Sequence, residues 1–519
     1  MGLDSAWAPC RPDREEVPPV KPYYITTAIP YVNAAPHLGH ALEFVQADVL
    51  ARHRRLRGQP VRFLSGTDDH ALKNVLAARN AGVPVASYVS SAADRFQALQ
   101  ELLDLSCDDY IRTSSDPRHR PGVDYLWQRC ADAGDFYQHT YTGLYCVGCE
   151  QFYEPDSLVD GVCPEHGTEP EQVAETNWFF RLSRYRDQIK EAITSGAVTI
   201  NPSQKRNEIL ALLDAGLKDF SVSRPAARAA GWGIRVPGDP SQVIYVWWDA
   251  LTNYITALGV HQHSEDYKFW WAGRGERVHV IGKGITRFHS VYWIGLLLSA
   301  GEPLPTTIHV HDYVNVAGAK LSKSTGNIVD PVDLVNVYGT DALRWWITRE
   351  VPLLGDTEFT TARLIQAYNT DLANGIGNLG NRTVALLHKY YDGRLDLDDG
   401  PVIGPAWASI DLDTACAALP SKIDAALQSA DFRSATAQLV ATVDLANQLL
   451  NAAQPWKVIR NPDGDPGLIQ RLLSRVVQAC RTIATEITPF CPGGATRLTS
   501  QLGDSDRVTS PEPVFARLT

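Results

Sequence analysis

The spacing of apolar and polar residues changes character several times along the chain. KPYYITTAIPYVN is aromatic and β-branched and runs into polar turn residues, which predicts a strand leading to a loop. ALEFVQADVLARHRRLRG then places Leu42, Val45 and Val49 at helical spacing, with a basic end and Gly58 as a stop. PVRFLSGTDDH returns to a strand pattern. Strand, helix and strand in this order make a right-handed parallel unit, the start of a doubly wound α/β sheet. From about residue 366 the strand signals fade. Leu439, Val443, Ala446 and Leu450 form one helical stripe and IQRLLSRVVQACRTIATEI repeats it, which predicts a carboxy-terminal all-α bundle.

Composition bounds this picture more than it changes it. A chain of 519 residues is too long for one core, so about two to four domains are expected. Hydrophobic content of 44% and charged content of 21% belong to a folded globular chain. The longest apolar candidate, VYWIGLLLSAG, is too short to span a bilayer. MGLDSAWAPCRPDREEVPPVK lacks the basic-then-apolar order of a signal peptide, so residues 1–20 are expected to be a flexible extension and the protein cytoplasmic. A net charge of −11 restricts any nucleic-acid contact to a local basic face. Nine cysteines without a signal peptide argue against a disulfide framework.

Two short motifs carry chemistry. PHLGH lies at the start of the first helix, where free N–H groups and a partial positive charge suit a phosphate. His37 and His40, three apart, face the same way from the first turn. Gly39 leaves the backbone bare for a flat adenine or ribose. Much later GAKLSKSTGN, rich in Gly, Ser, Thr and Asn, predicts a mobile loop carrying Lys320 and Lys323. Read singly, the first motif is equally a capped surface helix and the second a solvated basic loop. Together they suit a carboxylate attacking the α-phosphate of ATP, because imidazoles and ammonium groups neutralise the departing pyrophosphate from two sides.

A third pattern is metallic. Cys146, Cys149, Cys163 and His166 form CxxC, thirteen residues, then CxxH, a tetrahedral set with no open position, which predicts one structural Zn2+.

HLGH followed far downstream by KLSKS resembles the signature pair of the class I aminoacyl-tRNA synthetases. From about residue 21 to the end, TTAIPYVNAAPHLGH, FLSGTDDH, YVWWDALTNYITALG, HVIGKGITRFHSVYW and DLANGIGNLGNRTVALL resemble the methionyl-tRNA synthetase family in its own order. The resemblance implies a Rossmann-type catalytic sheet in two halves (21–115 and 236–310). Between them lies a connective insert with the zinc knuckle (116–235). The KLSKS loop and stem-contact region (311–365) and a helical anticodon-binding domain (366–519) complete the chain. It implies catalysis by His37, His40, Lys320 and Lys323, and ATP contacts from these with Pro36, Gly39, Lys283, Ser322 and Ser324. Methionine is expected among Ala28, Ile29, Tyr31, Asp68, Trp247, Ala250, Leu251, Tyr254, Ile285, His289 and Trp293. Asp68 would hold the ammonium, and aromatics would surround the polarizable thioether, with His289 and Tyr31 offering it a weak hydrogen bond. Asn378, Arg382, Pro455 and Trp456 are implied at an anticodon surface, where Trp stacks on a base and Asn and Arg read base edges.

The implied partners are L-methionine, ATP with Mg2+, and tRNA(Met), including the initiator. A monomer is expected, because no strand-rich OB-fold segment follows the bundle. The chain departs from the family at Gly284, where an acidic residue is usual, at Ala71 for Gly and at Ile294 for Pro. These departures leave open a duplicated copy with altered amino-acid choice, inhibitor resistance or a tRNA-independent adenylation role. An adenylyltransferase acting on a small molecule and a non-catalytic sensor are the other classes, and pyrophosphate exchange followed by tRNA charging separates them.

Overall fold

A computed structural model describes residues 21–146, 151–153, 155–165, 167–316, 319–320, 329–398, 402 and 407–519. Its centre is a six-stranded sheet, parallel throughout. The order runs β3 (Asp109–Arg112), β2 (Val61–Thr67), β1 (Tyr23–Thr27), Glu276–Gly282, Thr307–His311 and Thr199–Asn201. All five residues of β1 are buried, as expected of a central parallel strand covered on both faces. The order reverses between β1 and Glu276–Gly282. In such sheets the ligand crevice opens at that point, beyond the carboxyl ends of the strands.

Helix α1 (Leu38–Leu56) connects β1 to β2 and is buried along most of its length. A second four-stranded sheet, antiparallel, is built from Gln151–Tyr153, Phe136–Cys146, Glu171–Phe180 and Phe220–Ser221. It is anchored by aromatic packing: Phe136 and Phe180 meet Trp248 at centroid distances of 5.3 and 5.6 Å. The strand Thr199–Asn201 lies within the stretch expected as an insert, yet it pairs with Thr307–His309 and forms the far edge of the parallel sheet.

The carboxy-terminal region is helical, as the periodicity predicts. Its helices Leu412–Gln428, Phe432–Ala453 and Pro466–Ile487 start on Asp411, Asp431 and Asp465, whose carboxylates accept from Thr414, Ser434 and Leu468 N–H groups. Each such cap stabilises a helix by about 1 kcal/mol. The stripe Leu439, Val443, Ala446 and Leu450 is buried in a core that also contains Leu42 and Val45 of α1. Among the described residues no helix is long and apolar enough to cross a membrane.

Candidate active site

The first turn of α1 fixes two imidazoles. His37 is the N-cap, and its Nδ1 accepts the Gly39 N–H at 3.1 Å. The His37 N–H is in turn donated to His40 Nδ1 at 3.0 Å. Both Nδ1 atoms are therefore acceptors, which puts each ring proton on Nε2. The rings stack at 3.8 Å between centroids. Burial, then the neighbouring His37, holds His40 well below the ordinary imidazole range, so it acts as a neutral donor. Gly39 is required by this cap, because a β-carbon there would lie 2.9 Å from His37 Cε1.

The backbone donors of this turn are not what remains for a ligand. Leu38 N–H is donated to Val329 O at 3.0 Å, Gly39 N–H to His37, and His40 N–H to His37 O at 2.9 Å. The expectation of free amides at this terminus is corrected: what the turn presents to the cavity is its pair of imidazoles. Val329 ends the segment containing KLSKS, and Lys320 begins it by pairing with Asn315. Ser322, Lys323 and Ser324 lie outside the described residues.

His37, Gly39 and His40 open onto a cavity of about 380 Å³, a size suited to a small ligand. Ala28, Ile29, Tyr31, Asp68, Trp247, Ala250, Leu251, Tyr254, Ile285 and His289 line it as expected from the sequence. Pro30, Asn33, Ala34, Glu43 and Phe44 line it too and were not foreseen. The signal for Glu43 was its i+3 spacing from His40, which puts it on the same helix face. Its carboxylate accepts from Ala28 N–H at 2.8 Å and meets His311 Nε2 at 3.1 Å, tying α1 to the ends of two strands.

At the apolar end, His289 Nδ1 donates to Ile285 O at 3.0 Å, which leaves Nε2 as the acceptor for the Tyr254 hydroxyl at 2.7 Å. Burial pushes His289 down to about 4 and raises the Tyr254 phenol well above its ordinary value. Both are neutral at pH 7, and the phenol proton is committed to His289. Trp247 stacks on Phe288 at 3.7 Å and meets Tyr31 edge-on at 6.1 Å. Trp293, expected at the cavity, is fully buried behind its wall, 5.9 Å from Tyr254, and donates Nε1–H to His279 Nε2 at 3.1 Å.

Asp68 follows β2, and one of its carboxylate oxygens accepts His70 N–H at 3.3 Å. His70 itself belongs to a relay the sequence did not reveal. Asp249, buried on the helix Val246–Thr256, accepts from His70 Nδ1 and His119 Nε2, each at 2.5 Å. Burial alone would raise the Asp249 carboxyl, but His70 and His119 outweigh it and hold it well below its ordinary range. Burial likewise opposes the charge on His70, yet Asp249 wins and raises it. The relay clamps the loop after β2, which contains Asp68, to the helix that supplies Trp247, Ala250, Leu251 and Tyr254.

Other expected residues lie beyond the cavity wall. Pro36 is buried just before the cap. Lys283 points to Asp356 Oδ1 at 2.5 Å. Cys146 and Cys163 share one small buried cluster with Tyr153, no disulfide joining them, while Cys149 and His166 lie outside the described residues. Far along the bundle the Arg382 guanidinium lies 4.9 Å from the Trp456 ring centroid and donates to Asn451 at 3.0 Å. Asn378, exposed one turn before Arg382 on the helix Asn378–Tyr391, extends that surface, whereas Pro455 is buried as the first residue of its helix. Ala71 has φ −61° and ψ 141°, ordinary for any residue, so nothing there demands glycine.

A family model described as tRNA synthetases class I (M) matches residues 23–172 and 165–384, spans that contain both signatures. A methionine–tRNA ligase of Rhizobium meliloti is 38% identical over 524 residues, covering 96% of this chain and 98% of the relative. One from Caldanaerobacter subterraneus is 38% identical, covering 94% of this chain and 75% of the relative. The Mycobacterium tuberculosis methionyl-tRNA synthetase in complex with methionyl-adenylate superposes with a TM-score of 0.90 at 37% identity, covering 96% of this chain and all of that one. Similarity over nearly the whole length, in sequence and in fold alike, leads to one conclusion: the chain belongs to the class I methionyl-tRNA synthetase family, the methionine–tRNA ligases.

Proposed function

We propose that the chain activates L-methionine with ATP and transfers it to tRNA(Met), elongator and initiator alike, with the residue roles that follow. Asp68 holds the substrate ammonium, and the thioether lies against Tyr254, His289 and Trp247. One carboxylate oxygen of methionine attacks the α-phosphorus of ATP. That P–O bond forms as the bond to the β-phosphate oxygen breaks, giving methionyl-adenylate and pyrophosphate. His37 and His40 donate from Nε2 to phosphate oxygens whose charge grows, while Lys320 and Lys323, with Ser322 and Ser324, follow the leaving pyrophosphate. Mg2+ accompanies the nucleotide, held chiefly by phosphate oxygens and water. A ribose hydroxyl of the terminal nucleotide then attacks the adenylate carbonyl, and AMP leaves.

The observation that carries this reading is that His37, His40 and Asp68 line one cavity, with Val329, the fifth residue after the KLSKS motif in sequence, bonded to Leu38. Cys146, Cys149, Cys163 and His166 suit one structural Zn2+, because two of the thiols already share a buried cluster. Asn378, Arg382 and Trp456 suit anticodon bases, with Pro455 fixing the start of the Trp456 helix. The reading places the protein in the cytoplasm as a monomer. It is tested by methionine-dependent exchange of labelled pyrophosphate into ATP, followed by charging of tRNA(Met). Exchange without charging refutes the transfer step, and absence of both refutes the whole.

A further inference from the structure

Lys283 stands between two glycines at the carboxyl end of the strand Glu276–Gly282, beside the reversal in strand order. Neither glycine is there for its backbone freedom: Gly282 has φ −76°, and Gly284 is not among the residues with positive φ. Gly284 is required by Tyr313, which lays its ring across the turn, whereas a β-carbon at Gly282 would be in ordinary contact with that ring and nearer His311. A β-carbon at Gly282 would lie 3.7 Å from ring Cε1, and one at Gly284 would lie 2.1 Å from the hydroxyl oxygen but 3.4 Å from Cζ. The Lys283 ammonium sits 4.7 Å from the centroid of the same ring. Asp356 Oδ1 completes the arrangement, accepting from Tyr313 N–H at 3.0 Å and from Lys283 Nζ at 2.5 Å. Asp312 Oδ1 stands 3.8 Å from the same ammonium. Ile285, two residues after Lys283, lines the cavity.

We propose that Tyr313 is a positioning residue for the nucleotide: its ring and Asp356 together hold Lys283 in one place at the strand end, two residues from the cavity lining, and its hydroxyl fills the volume where a side chain at 284 would begin. The acidic residue expected at 284 is thus replaced by an aromatic contributed from the neighbouring strand connection. A cation between a ring face and a carboxylate keeps fewer arrangements than a free lysine, so less order is lost when it meets a phosphate. The inference rests on the reading of Lys283 as an ATP contact.

The test is pyrophosphate exchange by the full chain, with each variant checked for a wild-type unfolding transition. Tyr313→Leu removes the ring and is expected to raise KM for ATP about two- to five-fold while KM for methionine stays constant. Tyr313→Phe keeps the ring and is expected to leave both constants at their wild-type values. Gly284→Ala is expected to raise KM for ATP while Tyr313 is present, and Tyr313→Phe added to it is expected to restore the constant, since the nearest ring carbon then lies at ordinary contact. The proposal is overturned if Tyr313→Leu leaves KM for ATP unchanged or raises both constants equally, or if Gly284→Ala behaves the same on either background. Lys283→Ala separates the two layers. No change in KM for ATP defeats the reading of Lys283 itself, whereas a rise with Lys283→Ala but none with Tyr313→Leu defeats only the role of Tyr313.

Discussion

Asp249→Asn removes the negative charge at the point where three distant segments meet. The carboxylate is 1% exposed and is paired with His70 Nδ1 and His119 Nε2, both at 2.5 Å. An asparagine keeps the shape but offers one oxygen and one NH2 group. One imidazole can still donate to the oxygen, while the other meets a donor and must turn its bare nitrogen toward it. Removing one partner of a buried pair costs about 3–5 kcal/mol, because the remaining charge is left uncompensated in a poor solvent. That is a large part of a typical folding stability of about 5–15 kcal/mol. The helix Val246–Thr256 supplies four cavity residues, so KM for methionine is expected to rise at least about tenfold, which corresponds to 1.4 kcal/mol, while KM for ATP changes little.

The sign of the pH dependence gives a sharper check. In the wild type the His70 value is raised above its ordinary 6.5, so its contribution is complete below pH 6.5 and is lost as pH rises through the folded-state value. The Asp249 value is depressed, so its contribution is complete above about pH 4 and is lost only in stronger acid. In the variant burial, the largest influence on His70, lowers it and is opposed only by the weaker pull of Asp69. The dependence then reverses, and stability falls as pH drops below 6.5. Urea unfolding between pH 5 and 9, followed by two probes because several domains need not unfold together, reads the difference between the two proteins. A loss under about 1 kcal/mol, or a difference independent of pH, would refute the pairing.

Tyr254→Phe leaves His289 Nε2 buried without its donor, which costs about 1–3 kcal/mol; steady-state exchange is expected to show a higher KM for methionine, and an unchanged value would contradict the pairing. His40→Ala removes one Nε2–H donor and the acceptor for His37 N–H, so adenylate formation in a single turnover is expected to slow about 10²–10³-fold with methionine affinity retained. Trp456→Ala deletes a stacking face and the seat of Arg382; KM for tRNA in charging is expected to rise by about tenfold, with exchange untouched. Cys163→Ala is expected to abolish bound zinc, measured by elemental analysis of the purified chain, and equal zinc in variant and wild type would refute the knuckle.

The parts of the site written in local sequence were legible, and the parts assembled from afar were not. HLGH was readable because its four residues are also one helix turn, so spacing gives geometry directly. His70, Asp249 and His119 come from three separate segments, and no period links them. The family resemblance implies Trp293 at the cavity, yet its indole is buried against Tyr254 and bonded to His279. Gly284 looked like a plain loss, because a missing carboxylate is visible in sequence and a tyrosine hydroxyl filling its place is not. Likewise the free amides expected at α1 were already bonded, one of them to Val329, nearly three hundred residues away.

Helix α1 explains how the two halves of the function share one frame. At about 1.5 Å per residue its 19 residues make a rod of roughly 28 Å. One end presents the paired imidazoles. Near its middle Asp48 meets Arg344 at 2.7 Å, both fully buried, and Arg344 also donates to Pro489 and Phe490 carbonyls next to the bundle. At its far end Arg57 grips Glu486 with two nitrogens at 3.0 and 2.7 Å and shares Asp424 with His53. The outer contacts are partly exposed, and such pairs contribute about 1 kcal/mol or less. The Asp48–Arg344 pair is different, since breaking it leaves a charge stranded in the core. The orientation of the bundle relative to the imidazoles of the first turn is therefore set by directed bonds along α1 together with the apolar core that α1 shares with the bundle. Displacing a donor by about 1 Å costs on the order of a hundredfold in rate, which is why such a rod, more than a flexible linker, suits an enzyme whose site must hold its geometry while a substrate as large as tRNA is bound.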